Sequence, residues 1–433
     1  MRTGGVPTEW KVIPIAPGGD VFKSPDPEDV FLGSPSIAAL PGGRIVVSFD
    51  TTGPGVKHLP GTKGREPVSG HWLQGKVFVS GDKGKTWTCK TDFPFHQAQL
   101  FRIGNTLYLM GLAGSFRIMR SVDGGDTWSK PAEFALDDGE YAITPSSVLC
   151  TDEYVYLAVM KWVAGKEKEK RSLVPVILRA RQGVDLANRK AWTSSEPGKS
   201  FQEFVPPQCL QQFGIQISPE PVSELPKTSG KPGARRPDGR LNWDAPHLVE
   251  IVDPNHSWRD ARRRTLYLLA EVRTQRRNLA AIARVVEDEA GKMVMDAETV
   301  VGSIKTALIA MPGGHLKFDV IYDGTSKLYW LACNPCPDTM TRFDKSSAAR
   351  SSQPRDDRQQ LHLYYSRNLV DWCFAAWMDS GSSAKDWRHF CSLAIGGSDL
   401  YAVCCSGSAK PGTRGYTDRI TFHCIPAFRE LVY

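Results

Sequence analysis

No run of about 18 apolar residues occurs in this chain of 433, so a membrane-spanning helix is not expected and no membrane partner is called for. The N-terminus, Met1-Arg2-Thr3-Gly4-Gly5-Val6-Pro7, lacks the apolar core of a signal peptide. That fits a cytoplasmic protein, or a periplasmic or secreted one whose leader has been removed. Charge of one sign is not in large excess: 54 basic against 47 acidic residues leave +7. This favours an anionic ligand but is too little for a nucleic-acid binder. Ten cysteines follow no framework spacing, and Cys150, Cys391, Cys404, Cys405 and Cys424 lie in apolar, strand-like runs, so buried free thiols are expected. Cys333-Asn334-Pro335-Cys336 is a lone C-x-x-C without a second pair, which falls short of a zinc site, and no metal is expected. Neither a dinucleotide fingerprint nor a phosphate-cradling loop is present, so no cofactor is expected.

What the chain does have is a repeat. Ser80-Gly81-Asp82-Lys83-Gly84-Lys85-Thr86-Trp87 returns as Ser121-Val122-Asp123-Gly124-Gly125-Asp126-Thr127-Trp128, both reading Ser-x-Asp-x-Gly-x-Thr-Trp. Each copy follows a short apolar run, Lys76 to Val79 and Phe116 to Met119. Asp and Gly suit a tight turn, and Thr-Trp has strand propensity, so each copy reads as strand, turn, strand. The motif resembles the Asp box, or BNR repeat, of sialidases and their relatives, which sits on β-propeller blades away from the active site. The resemblance therefore implies structural roles for Asp82 and Asp123.

Further hairpins follow the same rhythm. Ile37 to Phe49 breaks at Pro41-Gly42-Gly43, Ala98 to Met110 turns at Gly104-Asn105, and Ser147 to Met160 turns at Asp152-Glu153. Val174 to Thr193 carries a decayed box over Arg181 to Trp192. His247 to Arg273, Leu279 to Met295, Leu316 to Cys333, Leu361 to Phe374 with a degenerate box at Ser366 to Trp372, and Phe390 to Cys404 complete the series. Ile420 to Ile425 stands alone, and Trp10 to Ile15 could pair with it to close the ring and remove exposed edges. The expectation is an all-β, six-bladed β-propeller, with seven blades possible, forming one domain over residues 1–433. Long loops are expected at about 51–75, 194–240 and 334–360.

If the blades run as in sialidases, the upper face is made by the starts of first strands and the ends of second strands. It would then gather Ser36, His96, Gln97, Asp244, His247, His315, Lys317, Arg388, His389, Asp50, Lys161, Arg273 and Asn334, with His58 and His71 from the loop 51–75. In Pro312-Gly313-Gly314-His315-Leu316-Lys317-Phe318, alternate residues His315 and Lys317 point to one side of a strand, and Lys317 needs an acid, solvent or an anionic ligand. Asp244, His315, Asp50, His71 and His96 are candidate catalytic residues. Arg273, Lys317, His256, His389 and Trp72 are candidate substrate-binding residues.

The resemblance extends over most of the chain, through His247 to Arg273, Pro312 to Asn334, Leu361 to Phe374 and Ile420-Thr421-Phe422-His423, to bacterial proteins labelled exo-α-sialidase by similarity. Sialidases carry a Phe/Tyr-Arg-Ile-Pro segment on the first strand, where this chain has Ser34-Pro35-Ser36-Ile37-Ala38 and no arginine. Arg273 would match the second arginine of their carboxylate-binding triad and Asp244 their catalytic Glu, whereas the third arginine has no counterpart. Three functions follow as alternatives. One is a glycoside hydrolase acting at the non-reducing end of an acidic glycan, with Asp244 and Asp50 as carboxylates and Arg273 and Lys317 as clamp. Another is a lyase of a uronate-containing polysaccharide, similar in architecture to ulvan and rhamnose–glucuronate lyases, with His315, His71 or His96 as base. The last is a glycan-binding propeller without catalysis, using Trp72, Trp162 and Trp258 as stacking platforms. In each case the partner is an acidic oligo- or polysaccharide.

Overall fold

The computed structural model describes residues 15, 18–67, 69–164, 171–204, 211–212, 215–216, 243–272, 277–296, 299–301, 304–337, 354–408 and 417–433. The main antiparallel sheets form six blades. Blade 1 comprises Phe31–Ala39, Ile45–Thr52, Trp72–Ser80 and Thr88–Phe93, and blade 2 comprises His96–Ile103, Thr106–Ala113, Ser115–Ser121 and Ala132–Phe134. Blade 3 has a broken first strand (Tyr141–Ala142 and Leu149–Cys150), then Tyr154–Ala164, Arg171–Arg181 and Trp192–Ser194. Blade 4 is Trp243–Glu250, Thr265–Val272, Leu279–Glu287 and Met293–Asp296, and blade 5 is Asp319–Asp323, Leu328–Cys333, Gln360–Ser366 and Cys373–Ser380. Blade 6 takes Asp386–Gly396, Asp399–Ser408 and Arg419–Ile425 from the C-terminal part and Gly19–Lys23 from the N-terminal part. First strands of neighbouring blades touch, which makes them the inner strands around the axis.

Both faces of each blade are covered, and the period-2 pattern of the strands serves both. In blade 1, Val46, Val77 and Val79 pack toward blade 2, while Ile45, Val47 and Phe49 pack toward blade 6. An apolar cluster of this kind fills each of the six interfaces between adjacent blades. The ring closes where Gly19 lies opposite Phe422 and Lys23 opposite Arg419. This corrects the expected closing segment, Trp10 to Ile15, whose first five residues lie outside the described ones. Val21 and Phe22 explain the choice: Val21 is buried, and the Phe22 ring lies 5.2 Å from Phe49 and 5.5 Å from Phe78. Of the cysteines expected to be buried, Cys391, Cys404 and Cys405 are, but Cys424 is half-buried and Cys150 is exposed on a two-residue strand. The nine described cysteines are free thiols.

The repeated turns lock by one scheme. Ser80 Oγ donates to Asp82 Oδ1 at 2.7 Å and accepts from the Gly84 amide at 2.8 Å, while Asp82 accepts from the Thr86 amide at 2.9 Å and its hydroxyl at 2.6 Å. Ser121, Asp123, Gly125 and Thr127 repeat this. In blade 5, Asn368 replaces the aspartate, accepting from the Asp371 amide at 2.8 Å while Ser366 accepts from the Leu369 amide at 2.9 Å. Leu369 at φ +63° matches Lys83 at +61° and Gly124 at +72°. The decayed box keeps only its indole contact: Trp192 Nε1 donates to Leu186 O at 2.9 Å, as Trp128 Nε1 does to Gly125 O at 3.1 Å. These turns join third to fourth strands, so they lie at the same end as the turns joining first to second strands. Arg44 accordingly reaches from blade 1 to Gly124 O at 2.7 Å and to Asp126 at 2.7 Å.

Candidate active site

At the opposite, upper end, four inner strands share one distortion. Ser34, Gln97, Ala245 and Phe390 have φ of +52°, +53°, +43° and +55°, and each sits where its strand's register shifts. Positive φ is unfavourable for residues with a Cβ, and such bulges re-aim neighbouring side chains next to functional sites. Pro35 and Pro246, which follow two of these residues and cannot donate to a ladder, belong naturally at such a break.

Below the bulges, buried polar side chains pass hydrogen bonds from blade to blade. Ser36 Oγ accepts from the Leu100 amide at 3.0 Å, Gln99 Nε2 donates to Ser146 O, and Ser146 Oγ donates to Pro246 O at 3.3 Å. His247 Nε2 then donates to Val320 O, and Asp319 Oδ2 accepts from the Leu393 amide at 2.7 Å. Asp319, fully buried, also reaches blade 3, taking the Ser147 amide at 2.9 Å and its hydroxyl at 2.8 Å. His247 Nδ1 lies 3.4 Å from Asp319 Oδ1, but burial outweighs that attraction and holds the imidazole below its usual pKa. Asp319 therefore binds blades 3, 5 and 6 together beneath the mouth, with His247 of blade 4 beside it.

Asp50 sits at the upper end of the second strand of blade 1, opposite Gly33 and Gly75. It is 3% exposed, and its Oδ2 accepts from the Gln97 amide of the neighbouring bulge at 2.5 Å. Among the described residues, Oδ1 has no partner at hydrogen-bond distance. Burial pushes the carboxyl up to about 7, against weaker help to the anion from Gln97, Ser34 and Ala98. Asp244 is half-buried at the start of the first strand of blade 4, its Oδ1 taking the Ala245 amide at 2.9 Å, with Glu271 directly across the ladder. Two blades lie between Asp50 and Asp244 on either side of the ring, so the two carboxyls approach the axis from opposite sides.

The structure distributes the remaining candidates unevenly. Lys317 is buried and donates to Cys391 O of blade 6. Burial, with the charges of Arg358 and Lys317, holds His389 well below the usual imidazole range. His315 is buried too, its Nε2 3.0 Å from Asp357 and its Nδ1 accepting from the Asn278 amide at 3.2 Å. Arg277 binds the same Asp357 oxygen at 2.6 Å, so His315 belongs to a closed network. His96 is half-buried and lowered by burial to about 4, so it is neutral at ordinary pH. His71 is exposed, and Trp72 is half-buried with the Arg65 guanidinium 4.3 Å over its ring. His256 and Trp258 lie at the lower end, in the connection between the first and second strands of blade 4, where His256 Nε2 bonds Asn368 O at 3.1 Å. They are therefore remote from the mouth. Arg273 lies outside the described residues.

Sequence reasoning missed Asp319, and it placed Gln97 on the upper face without its backbone role. The expected strand through His315 and Lys317 is not formed: His315 lies in a turn and Lys317 just before the strand Asp319–Asp323, so the alternation that selected the two did not point to Asp319, the first residue of that strand. Gln97 acts through its backbone, and no residue type marks that.

No family model matches the chain, and no curated protein matches it in sequence. Solved structures match its fold. A protein of unknown function from Dyadobacter fermentans superposes with a TM-score of 0.52 at 12% identity, over 95% of this chain and 99% of that one. A Hadza microbial sialidase gives 0.52 at 11% identity over 94% and 68%. The NanB sialidase from Streptococcus pneumoniae gives 0.51 at 10% identity over 95% and 71%. The fold is thus the sialidase-like six-bladed propeller.

Proposed function

We propose that this propeller is a glycoside hydrolase whose site is the upper mouth of the ring, acting at the non-reducing end of an acidic glycan. The observation that carries this reading is Asp50, a buried carboxyl raised to about 7 at the mouth. A carboxylic acid that keeps its proton near neutrality is suited to protonate a departing glycosidic oxygen. Asp244, on the far side of the axis, is assigned the second carboxylate of the pair, as nucleophile or base. The sialidases of similar fold support a carbohydrate as substrate class. The net charge of +7 and the expected clamp role of Arg273 support an acidic one. Lys317, facing Cys391 O, is assigned to holding the mouth's floor and not to the substrate.

The elimination reading needs a histidine base. Of its candidate bases, His315 has both nitrogens engaged, which counts against it, whereas His96 is half-buried and His71 exposed, so the experiment must separate the two reactions. The test is a panel of sialosides, glucuronides, rhamnose-capped uronates and ulvan, read for reducing ends and for unsaturated-uronate absorbance. Reducing ends without absorbance, with kcat/KM falling above about pH 7 and lost in Asp50→Asn, is the expected result. Absorbance at full strength in Asp50→Asn would overturn the assignment.

A further inference from the structure

Between blades 4 and 5, away from the axis, a lateral groove of about 440 Å³ runs along the strand Gln360–Ser366. Its floor is Met311 and Pro312 of blade 4, and its wall is His362, Tyr364 and Trp372 of blade 5. The volume falls within the range of roughly 300–1,000 Å³ typical of small-molecule sites.

Two independent features of this groove point to a ligand. The first is unsatisfied polarity. Both ring nitrogens of His362 and Nε1 of Trp372 are buried atoms with no hydrogen-bond partner among the described residues. Buried polar atoms are nearly always paired, so three on one wall mark a place where a partner belongs. The second is an aromatic patch beside the groove, packed on His362. His362 lies opposite Trp377 and Tyr364 opposite Phe374 in the ladder, so the four rings share one face of the sheet. The His362 ring lies 4.9 Å from Trp377 and 5.5 Å from Phe374. Trp377 and Phe374 nevertheless remain 50% and 43% exposed, and Trp377 Nε1 is anchored on Asp379 O at 3.1 Å, which fixes the plane of the indole.

The lining also limits the chemistry of the ligand. Among the described residues no Lys, Arg, Asp or Glu lines the groove, and burial holds His362 neutral by lowering its pKa to about 4. A ligand there is uncharged, has an apolar face for the rings, and carries hydroxyls to meet an imidazole and an indole N–H. We propose that this groove is a second carbohydrate site, taking a neutral saccharide by stacking on Trp377 and Phe374 and hydrogen bonding to His362 and Trp372. It stands apart from the mouth, where an acidic glycan is proposed, and does not depend on that reading.

The test is a titration of the full chain with cellobiose, xylobiose and arabinobiose, followed by tryptophan fluorescence and by calorimetry. Saturable binding of at least one of them is expected. Trp377→Ala should weaken it about tenfold, the equivalent of ~1.4 kcal/mol, and His362→Leu should weaken it comparably. Trp377 is half-exposed, so its loss should lower thermal stability only modestly, and unfolding curves check that both variants are folded. Asp50→Asn should bind the disaccharide as the parent does. Absence of binding by all three sugars overturns the proposal. So does binding that persists in both groove variants or disappears in Asp50→Asn, since the sugar would then occupy the mouth.

Discussion

The bond from the Gln97 amide to Asp50 Oδ2, 2.5 Å long, joins the upper end of one blade's second strand to the bulge in the next blade's first strand. The strained backbone at Gln97 thereby orients a carboxyl whose pKa burial raises to about 7. The pair links the geometry of the ring to the chemistry proposed for its mouth, and it can be tested by stability as well as by activity.

Asp50 has a folded pKa of about 7 against an ordinary 3.8, so between those values the folded state holds a proton that the unfolded chain has released. Its contribution is complete below about pH 4 and is lost as pH rises through about 7. Asp50→Asn removes this dependence. Relative to the parent, the variant should gain on the order of 2–3 kcal/mol between pH 5 and pH 8 in urea unfolding. A constant difference across that range would show that Asp50 is not protonated in the fold.

His315→Phe tests whether the closed network is structural. Asp357 would keep Arg277 but lose the imidazole, and the Asn278 amide would lose its acceptor. We expect a loss of about 2–3 kcal/mol in stability and less than a tenfold change in kcat at a temperature where the variant is folded. A drop of a thousandfold or more, with KM unchanged, would restore His315 as a base.

Asp319→Ala should be the most damaging single change at the axis. It strands the Ser147 and Leu393 amides in a dry interior and cuts the tie between blades 3, 5 and 6. We expect at least ~3 kcal/mol of destabilisation. Asp319→Asn, which keeps one acceptor oxygen, should cost less. Equal midpoints for the two variants in denaturant would refute this account.

The Asp box of blade 2 should register in acid. Hydrogen bonds from Thr127, above all its hydroxyl, hold Asp123 down to about 2, so its contribution is present above the ordinary carboxylate pKa and lost as pH falls toward 2. Asp123→Asn should flatten the acid-unfolding curve below pH 4 and leave turnover at pH 6 unchanged. A loss of turnover would place the box in the site.

The sequence by itself determined the propeller. Strand periodicity, turn residues and the two boxes are local signals, and local signals survive in a single chain. They placed hairpins at Ile45, Thr106 and Leu400, and the degenerate box at Ser366 whose Asn368 does the work of an aspartate. The closing strand was misplaced because pairing with Arg419–Ile425 is a contact across nearly the whole chain, and Gly19–Lys23, with only Val21 and Phe22 apolar, is a weaker strand signal than Trp10 to Ile15. The site was only partly legible for a related reason. Asp50 and Asp244 could be assigned to the upper face by strand order, but their environments could not. Tertiary structure alone decided that Asp50 is buried against Gln97, that His315 is closed off by Asp357 and Asn278, and that His256 points to the other end of the ring. Burial and partner choice arise where distant strands meet, and the residue types at those positions do not encode which strand will arrive.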